Sequence, residues 1–387
     1  MESLTTLVTN SGFAGLGWQN LVMFAVGGLL IYLAVKKQYE PLLLIPIGFG
    51  AILANLPGGN LSAAHAFTQD PNHPTHYLLQ MVYDTGIRTE FLPPVIFLGV
   101  GALTDFRPLL GRPITFMLGA AAQLGIFVAA LGAFYLFGDT FTIQEAASIG
   151  IIGGADGPTS IFLASKLAPE LLGAIAVAAY SYMALVPVIQ PPIMRLMTTQ
   201  SERSIEMKQT KPVSQTAVIL FPIITAVVAI LAVPTCAPLI GMLMFGNLLR
   251  ESRVTDRLFK TAGGPLVNIV TIFLGITVGA TMEGHSFLQA RTIFILIIGA
   301  VAFSCSTFGG VLFAKFLNLL LPKGKKINPC IGAAGVSAVP MAARVVQSYV
   351  SSSTGGKVNP LMAAMGPNVA GVIGSAVAAG VFLQLFG

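Results

Sequence analysis

Charge is what this sequence has least of. Of its 387 residues only 9% are Asp, Glu, Lys or Arg, against 55% hydrophobic, whereas a soluble domain carries about 25% charged residues. That excludes a water-soluble globular protein. Cysteine is almost absent as well: Cys236, Cys305 and Cys330 are odd in number and scattered, so neither a disulfide framework nor a zinc spacing follows. His65, His73, His76 and His285 have no metal spacing and read as solvated. There is no P-loop, no GxGxxG and no Ser/His/Asp set, so the chain is not an ATP-driven pump by itself. Only Glu2, and no Lys or Arg, precedes the first apolar run, which argues against a cleaved signal peptide with a basic start. The net charge of +6 comes from bases in short loops between apolar runs. It reads as positive-inside sorting rather than as nucleic-acid contact.

Apolar length is abundant instead. "NLVMFAVGGLLIYLAV" (20–35), "PITFMLGAAAQLGIFVAALGAFYLFG" (113–138), "VSQTAVILFPIITAVVAILAVP" (213–234) and "TIFILIIGAVAFSCSTFGGVLFAKFLNLLL" (292–321) approach or exceed the roughly 20 residues that span a bilayer as a helix. The expected fold is an all-α polytopic protein of the inner membrane. Lys36–Lys37, the bases at 195–211 and 250–260, and Lys323, Lys325 and Lys326 place their loops in the cytoplasm, while 56–76 lacks Lys and Arg and reads as outside. The N-terminus is then outside.

Four landmarks recur in the same order. "PLLLIPIGFGAIL" (41–53) resembles "PLIGMLMFGNLL" (238–249), "IFLG" occurs at 96–99 and 272–275, each "IFLG" leads into a long apolar span, and "GGADGP" (153–158) corresponds to "AGVSAVP" (334–340). The flanking charges make the two copies run in opposite directions across the membrane. An inverted-topology repeat follows, as in transporters with a midplane site: 1–198 as the first half, 199–212 as a basic cytoplasmic linker, and 213–387 as the second half.

Gly153, Gly154, Gly157 and Pro158 break any helix through 145–166, and broken backbone at membrane depth is tolerated only within protein or beside water. A re-entrant hairpin near 145–166, tipped by Asp156, is expected to enter from outside. A second near 327–350 enters from inside, so the tips meet in mid-bilayer. An ionised carboxylate there costs about 2.5–3.5 kcal/mol, which a bound cation, a proton or Arg344 has to offset. Freed carbonyls with Asp156, Thr159 and Ser337 oxygens form a hard ligand set suited to Na⁺; the plainer role of Asp156 is a helix cap. Tyr180 and Tyr182, two apart, face different sides, so one at most reaches such a site. Asn328 is either a cap or a ligand, and Asn368 follows a Gly-Pro break as a further candidate. Gly371, Ser375 and Ala379 read as a helix-packing stripe. Arg344 either pairs with Asp156 or binds an anion.

The stretch "IGIIGGADGPTSIFLASKLAPELLGAIAVAAYSYMALVPVIQPPIMR" (149–195), with "INPCIGAAGVSAVPMAARV", "MGPNVAGVIGSAVAAGVF", "YEPLLLIPIGFG", "GVGALTDFRPLL", "VNIVTIFLGITVGA" and the opening "MESL", resembles the beta subunits of the sodium-translocating, biotin-dependent decarboxylases. The likeness covers nearly the whole chain, with the oxaloacetate members as the nearest expected and a shorter outer loop at 56–90 than some of them have. It implies that a separate alpha subunit carboxylates biotin on a mobile carrier. The beta subunit then decarboxylates that carboxybiotin, exports Na⁺ and consumes a proton. It further implies catalytic roles for Asp156, Tyr182, Ser337 and Arg344, with Arg344 also holding carboxybiotin. Asp156, Asn328, Gly332, Ser337 and Asn368 are implied around Na⁺. The implied partners are the biotinyl-carrier alpha subunit, a small single-span gamma or delta subunit and membrane lipid, with self-association left open. Biotin itself is not on this chain: "EMKQ" (206–209) is only a faint likeness to a biotinylated lysine's surroundings. The competing functions are a secondary Na⁺-coupled organic-anion transporter of the same architecture, and a membrane scaffold without chemistry.

Overall fold

The computed structural model describes residues 11–59, 61, 78–207, 212–322 and 324–387, and among these every regular element is helical. The outer loop with His65, His73 and His76, the opening "MESL", and Lys208, Lys211 and Lys323 lie outside the described residues. Seven helices are long and apolar enough to cross a membrane, or eight if one bent pair counts as a span. The chain is a polytopic membrane protein.

Helices α1 (Trp18–Lys37) and α2 (Pro41–Ala54) open the chain. Next, α3 (Leu78–Val82) runs through a π turn into α4 (Leu92–Leu103). This is the bent pair: its axes differ by 64°, and Glu90 at the break takes φ 63°. Pro93 and Pro94 then start α4 with φ already helical. The sequence reading around "IFLG" at 96–99 did not foresee this bend. After α5 (Arg107–Gly111), α6 (Ile114–Ala122) and α7 (Leu124–Leu136) form one span interrupted at Gln123.

The segment that raised the question of Asp156 is indeed broken. A Thr142–Glu145 capping box, each end within hydrogen-bond reach, starts α8 (Ile143–Gly150). A 3₁₀ turn (Ile151–Gly154) follows, and then α9 (Gly157–Leu167), which packs on α8. The chain continues as α10 (Leu172–Met197), the short α11 (Gln200–Arg203) in the linker, α12 (Gln215–Ala232) and α13 (Ala237–Glu251). α14 (Asp256–Thr261) passes through a π turn into α15 (Val267–Ala280); α16 (Gly284–Phe287) and the long α17 (Ala290–Leu320) follow. The second broken segment begins with a 3₁₀ helix, Pro329–Gly335, and continues into α18 (Met341–Ser353). Gly332 in its 3₁₀ leg lies directly against the Gly310 carbonyl of α17. The last helix is α19 (Leu361–Phe386), which runs unbroken through Gly366–Pro367. The expected break before Asn368 is therefore absent.

Burial sorts these helices into centre and rim. The apolar windows of Pro169–Met197, Leu361–Phe386 and Ala290–Leu320 are 67%, 61% and 56% buried, against 11% for α12 and 22% for α1. On α12 the exposed residues Leu220, Ile223, Ile224, Val227, Val228 and Leu231 recur at helical spacing, the stripe that lipid would cover.

The packing is exchanged between the two parts of the chain. The pair α1–α2 rests on α15 of the later part, and α12–α13 rests on α4 of the earlier one. Both crossings are made by glycine. A side chain at Gly50 would strike the Ile276 carbonyl and one at Gly279 that of Ile47; likewise Gly101 meets the Leu243 carbonyl and Gly246 that of Leu98. These contacts pair "VGA" at 100–102 with "VGA" at 278–280, a register two residues away from the "IFLG" match. Asn55 and Asn247 pin the two crossings through Met282 O (2.7 Å) and Thr104 O (2.9 Å).

Candidate functional site

Asp156 caps α9. Its Oδ1 accepts from the Thr159 N–H at 3.1 Å, satisfying one of the free donors at a helix start. Ala155 before it is in the left-handed region at φ 52°, which costs about 1–2 kcal/mol for a residue with a Cβ and turns the carboxylate to the tip. The other oxygen, Oδ2, accepts from Ser375 Oγ of α19 at 2.6 Å. Ser337 Oγ donates in turn to Ser375 Oγ at 2.9 Å. The two broken segments meet directly here, since the Ser337 N–H donates to the Gly154 carbonyl at 2.8 Å. Asp156 is 5% exposed, and among the described residues no Lys, Arg or His pairs with it. Its neighbours are neutral hydroxyls and amides.

Three further side chains brace the junction. Asn368 Nδ2 donates to the carbonyls of Val336 (2.7 Å), Ala334 (3.0 Å) and Ala338 (3.4 Å). Gln123 Nε2 donates to those of Gly119, Gly335 and Gly371. Ser306 Oγ donates to the Gly153 carbonyl at 2.7 Å. The amide oxygens of Asn368 and Gln123 are buried without a hydrogen-bond donor. Oxygen acceptors around one carboxylate suit a hard cation. Among the described residues no three of His, Cys, Asp and Glu cluster as a metal site.

Of the residues expected at the site, Asp156, Ser337 and Asn368 are brought together. Asn328 and Gly332 are not. Asn328 caps the 3₁₀ helix through Cys330 N and donates to the carbonyls of Arg203 and Ile205 in the linker. Gly332 is the crossing point on α17, as Gly153 is on Gly125 of α7. The Tyr182 hydroxyl donates to the Leu296 carbonyl of α17, so it ties two helices. Tyr180, two residues earlier and fully buried, has its ring against Gly157, next to Asp156. Arg344 lies in the first turn of α18, is exposed, and forms no ion pair among the described residues; the Asp156–Arg344 bridge does not exist here. Further along the same helix, Tyr349 lines an open cleft of about 680 Å³ with Pro191, Pro192, Arg195 and Leu196, and Arg203 stacks on Tyr349 at 5.3 Å.

Ser375 and Gln123 were not legible as site residues. Ser375 sits in a small-residue stripe that has a sufficient packing explanation, and only the fold shows its hydroxyl on Asp156. Gln123 did have a signal: it is the one amide inside the apolar run 113–138.

A family model described as the Na⁺-transporting oxaloacetate decarboxylase beta subunit matches residues 19–386. The chain is 52% identical over 408 residues to the methylmalonyl-CoA decarboxylase subunit beta of Propionigenium modestum, covering 100% of both. It is 54% identical over 385 residues to the glutaconyl-CoA decarboxylase subunit beta of Acidaminococcus fermentans, covering 100% of this chain and 98% of that one. The oxaloacetate decarboxylase beta chain of Klebsiella pneumoniae is 49% identical over 431 residues, covering 99% of each. That alignment is longer than this chain, so the Klebsiella protein holds segments that are missing here. The identities do not single out the oxaloacetate members as nearest.

Proposed function

The chain belongs to the beta subunits of the sodium-translocating, biotin-dependent decarboxylases, and from that premise we propose that the junction at Asp156 is where decarboxylation is coupled to Na⁺ export. It is the membrane subunit of a sodium-pumping decarboxylase. In our reading a partner alpha subunit delivers carboxybiotin from the cytoplasm, and this subunit releases CO₂ from it. A proton is consumed and Na⁺ moves outward. A small single-span subunit completes the complex in the cell membrane, with the N-terminus outside.

One observation supports this most: two chain breaks from separate parts of the sequence close around a single buried carboxylate whose other neighbours are neutral oxygens and amides. Such a carboxylate accommodates either a cation or a proton, and exchange between the two is what the pump requires. The exchanged packing of α1–α2 with α15 and α12–α13 with α4 supports an inverted repeat, with the segments at 143–167 and 329–353 as opposed re-entrant hairpins. In the decarboxylation step Arg344, exposed and without an ion pair among the described residues, holds the N-carboxylate through its planar fork. Ser375 donates to Asp156, and Ser337 donates to Ser375 behind it. Moving one charge outward costs about 2.3 kcal/mol per 100 mV, which decarboxylation supplies, so the two hairpins must not open together.

The test is Asp156→Asn in the purified complex. Na⁺-stimulated carboxybiotin decarboxylation should be lost, and Na⁺ should no longer protect the subunit from heat, while carboxyl transfer to biotin on the partner persists. Near-normal Na⁺-stimulated turnover in this variant would rule the reading out. Activity without any biotin-bearing partner would favour a secondary transporter instead.

A further inference from the structure

Gln123 is the single residue at which the span 114–136 leaves regular helix, between α6 and α7. Its carboxamide reaches both hairpin tips and α19. The orientation of that amide is determined by its surroundings. Nε2 faces three carbonyl oxygens, of Gly119 at 3.0 Å, Gly335 at 3.2 Å and Gly371 at 3.4 Å, and the reversed amide would point its oxygen at all three. Oε1 is therefore directed the other way, where it is buried without a donor on a residue only 5% exposed. Unpaired buried acceptors are rare and ask for an explanation.

Oε1 lies beside the tip of the first hairpin. A methyl group placed on the Gly154 α-carbon would lie 3.1 Å from Ile126 Cδ1, 3.3 Å from Gln123 Oε1 and 3.3 Å from the Ser375 Cβ. Ser375 is the residue whose hydroxyl bonds Asp156 Oδ2, and the Gly154 carbonyl is the one that accepts from Ser337. An amide oxygen is a hard, neutral ligand. Added beside one carboxylate, it contributes coordination without a second negative charge, which suits a monovalent ion.

We propose that Gln123 Oε1 is a ligand of the cation held by Asp156, a binding residue contributed by the long span rather than by either hairpin. The inference rests on the reading of Asp156 as the cation site. Because the same side chain bonds the tip of the second hairpin and touches the first, cation occupancy is tied to the closed contact between them.

The experiment measures Na⁺-dependent protection from heat and Na⁺-stimulated decarboxylation in the whole detergent-purified complex, each titrated with Na⁺. Gln123→Met keeps the bulk and removes the oxygen. Its half-saturating Na⁺ should rise about tenfold, equivalent to about 1.4 kcal/mol, beyond any fall in stability measured without Na⁺. Gln123→Glu keeps an oxygen and adds a second titratable charge, so its half-saturating Na⁺ should depend on pH more steeply than the parent's. A Gln123→Met half-saturation within twofold of the parent overturns the proposal, whatever happens to Na⁺-free stability, and leaves Oε1 as a host for ordered water. If Gln123→Met does not fold, a Gln123→Glu titration with the parent's half-saturation and the parent's pH dependence overturns it equally. Asp156→Asn is titrated alongside. Should that variant keep full Na⁺ protection, it is the placement of the cation at Asp156 that fails, and the Gln123 titrations then report on a different site.

Discussion

Ser375 shows how a single hydroxyl changes the meaning of a helix. Its neighbours Gly371 and Ala379 allow close packing, yet its Oγ is the donor at 2.6 Å to the buried carboxylate. Hydrogen bonds to charged groups are worth about 1.5–3 kcal/mol. Ser375→Ala should therefore weaken Na⁺-dependent function and shift the Na⁺ titration, while Ser375→Thr, which keeps the hydroxyl, should retain more of both; equal behaviour of the two variants would deny the hydroxyl its role. The tyrosines divide differently. The Tyr182 hydroxyl is spent on the Leu296 carbonyl, so Tyr182→Phe should cost about 0.5–1.5 kcal/mol of thermal stability and leave Na⁺ protection in place. Loss of Na⁺ protection as complete as in Asp156→Asn would instead draw Tyr182 into the cation site.

Between elements, glycine decides. At the crossing of α4 with α13, an added Cβ at Gly101 or Gly246 meets a backbone carbonyl of the facing helix, which cannot move aside as a flexible side chain can. Gly246→Val should destabilise the purified complex severely. Gly132→Ala in α7, with nothing within 4 Å of the new Cβ, should be neutral or stabilising by about 0.5–1 kcal/mol; thermal unfolding in detergent compares them directly. The linker helix α11 depends on charge instead. Partial burial pushes the Glu202 carboxyl up, but the Thr199 N–H and hydroxyl and Lys315 outweigh it and hold it below its ordinary 4.5. A depressed carboxyl contributes its stability above the unfolded value and loses it as pH falls through the lowered one. Acid titration should thus loosen the linker only below about pH 4.5, read as proteolysis within 199–212, and Glu202→Gln should remove that step.

For the whole molecule, the contacts gather the loops at two ends. Arg107 pairs with Glu251, Arg112 donates to Met207 Sδ, and Asn328 donates to the Arg203 carbonyl, so the loops near 107–112, 203–207, 251 and 328 share one end. Asn55 joins Met282 and Gly284, in the part of the chain that lacks the basic clusters. If the basic end is cytoplasmic, Ser201→Cys should react with an impermeant maleimide only from inside, and Ser286→Cys only from outside. The native Cys236, Cys305 and Cys330, none of them fully exposed, are first replaced by Ala. Labelling of both positions from one side would contradict the inverted arrangement.

By itself the sequence determined the membrane class, the spans and the oddity of Asp156. These follow from local quantities: apolar length sets a span to within a few residues, as 20–35 became Trp18–Lys37 and 292–321 became Ala290–Leu320, and the cluster of Gly153, Gly154, Gly157 and Pro158 interrupts a helix where the lone Gly366–Pro367 pair does not. The partners of Asp156 were decided only by the tertiary structure. Ser375 lies 219 residues after it, in a pattern that packing alone explains, and Gln123 lies one span before it, a lone amide whose direction the sequence does not give. Asn328 and Gly332, neighbours of Ser337 in sequence, went elsewhere because a 3₁₀ leg set against α17 carries them away from the tip. Which polar atoms meet in a closed junction depends on how helices cross, and here those crossings are fixed by glycine contacts between residues far apart in the chain.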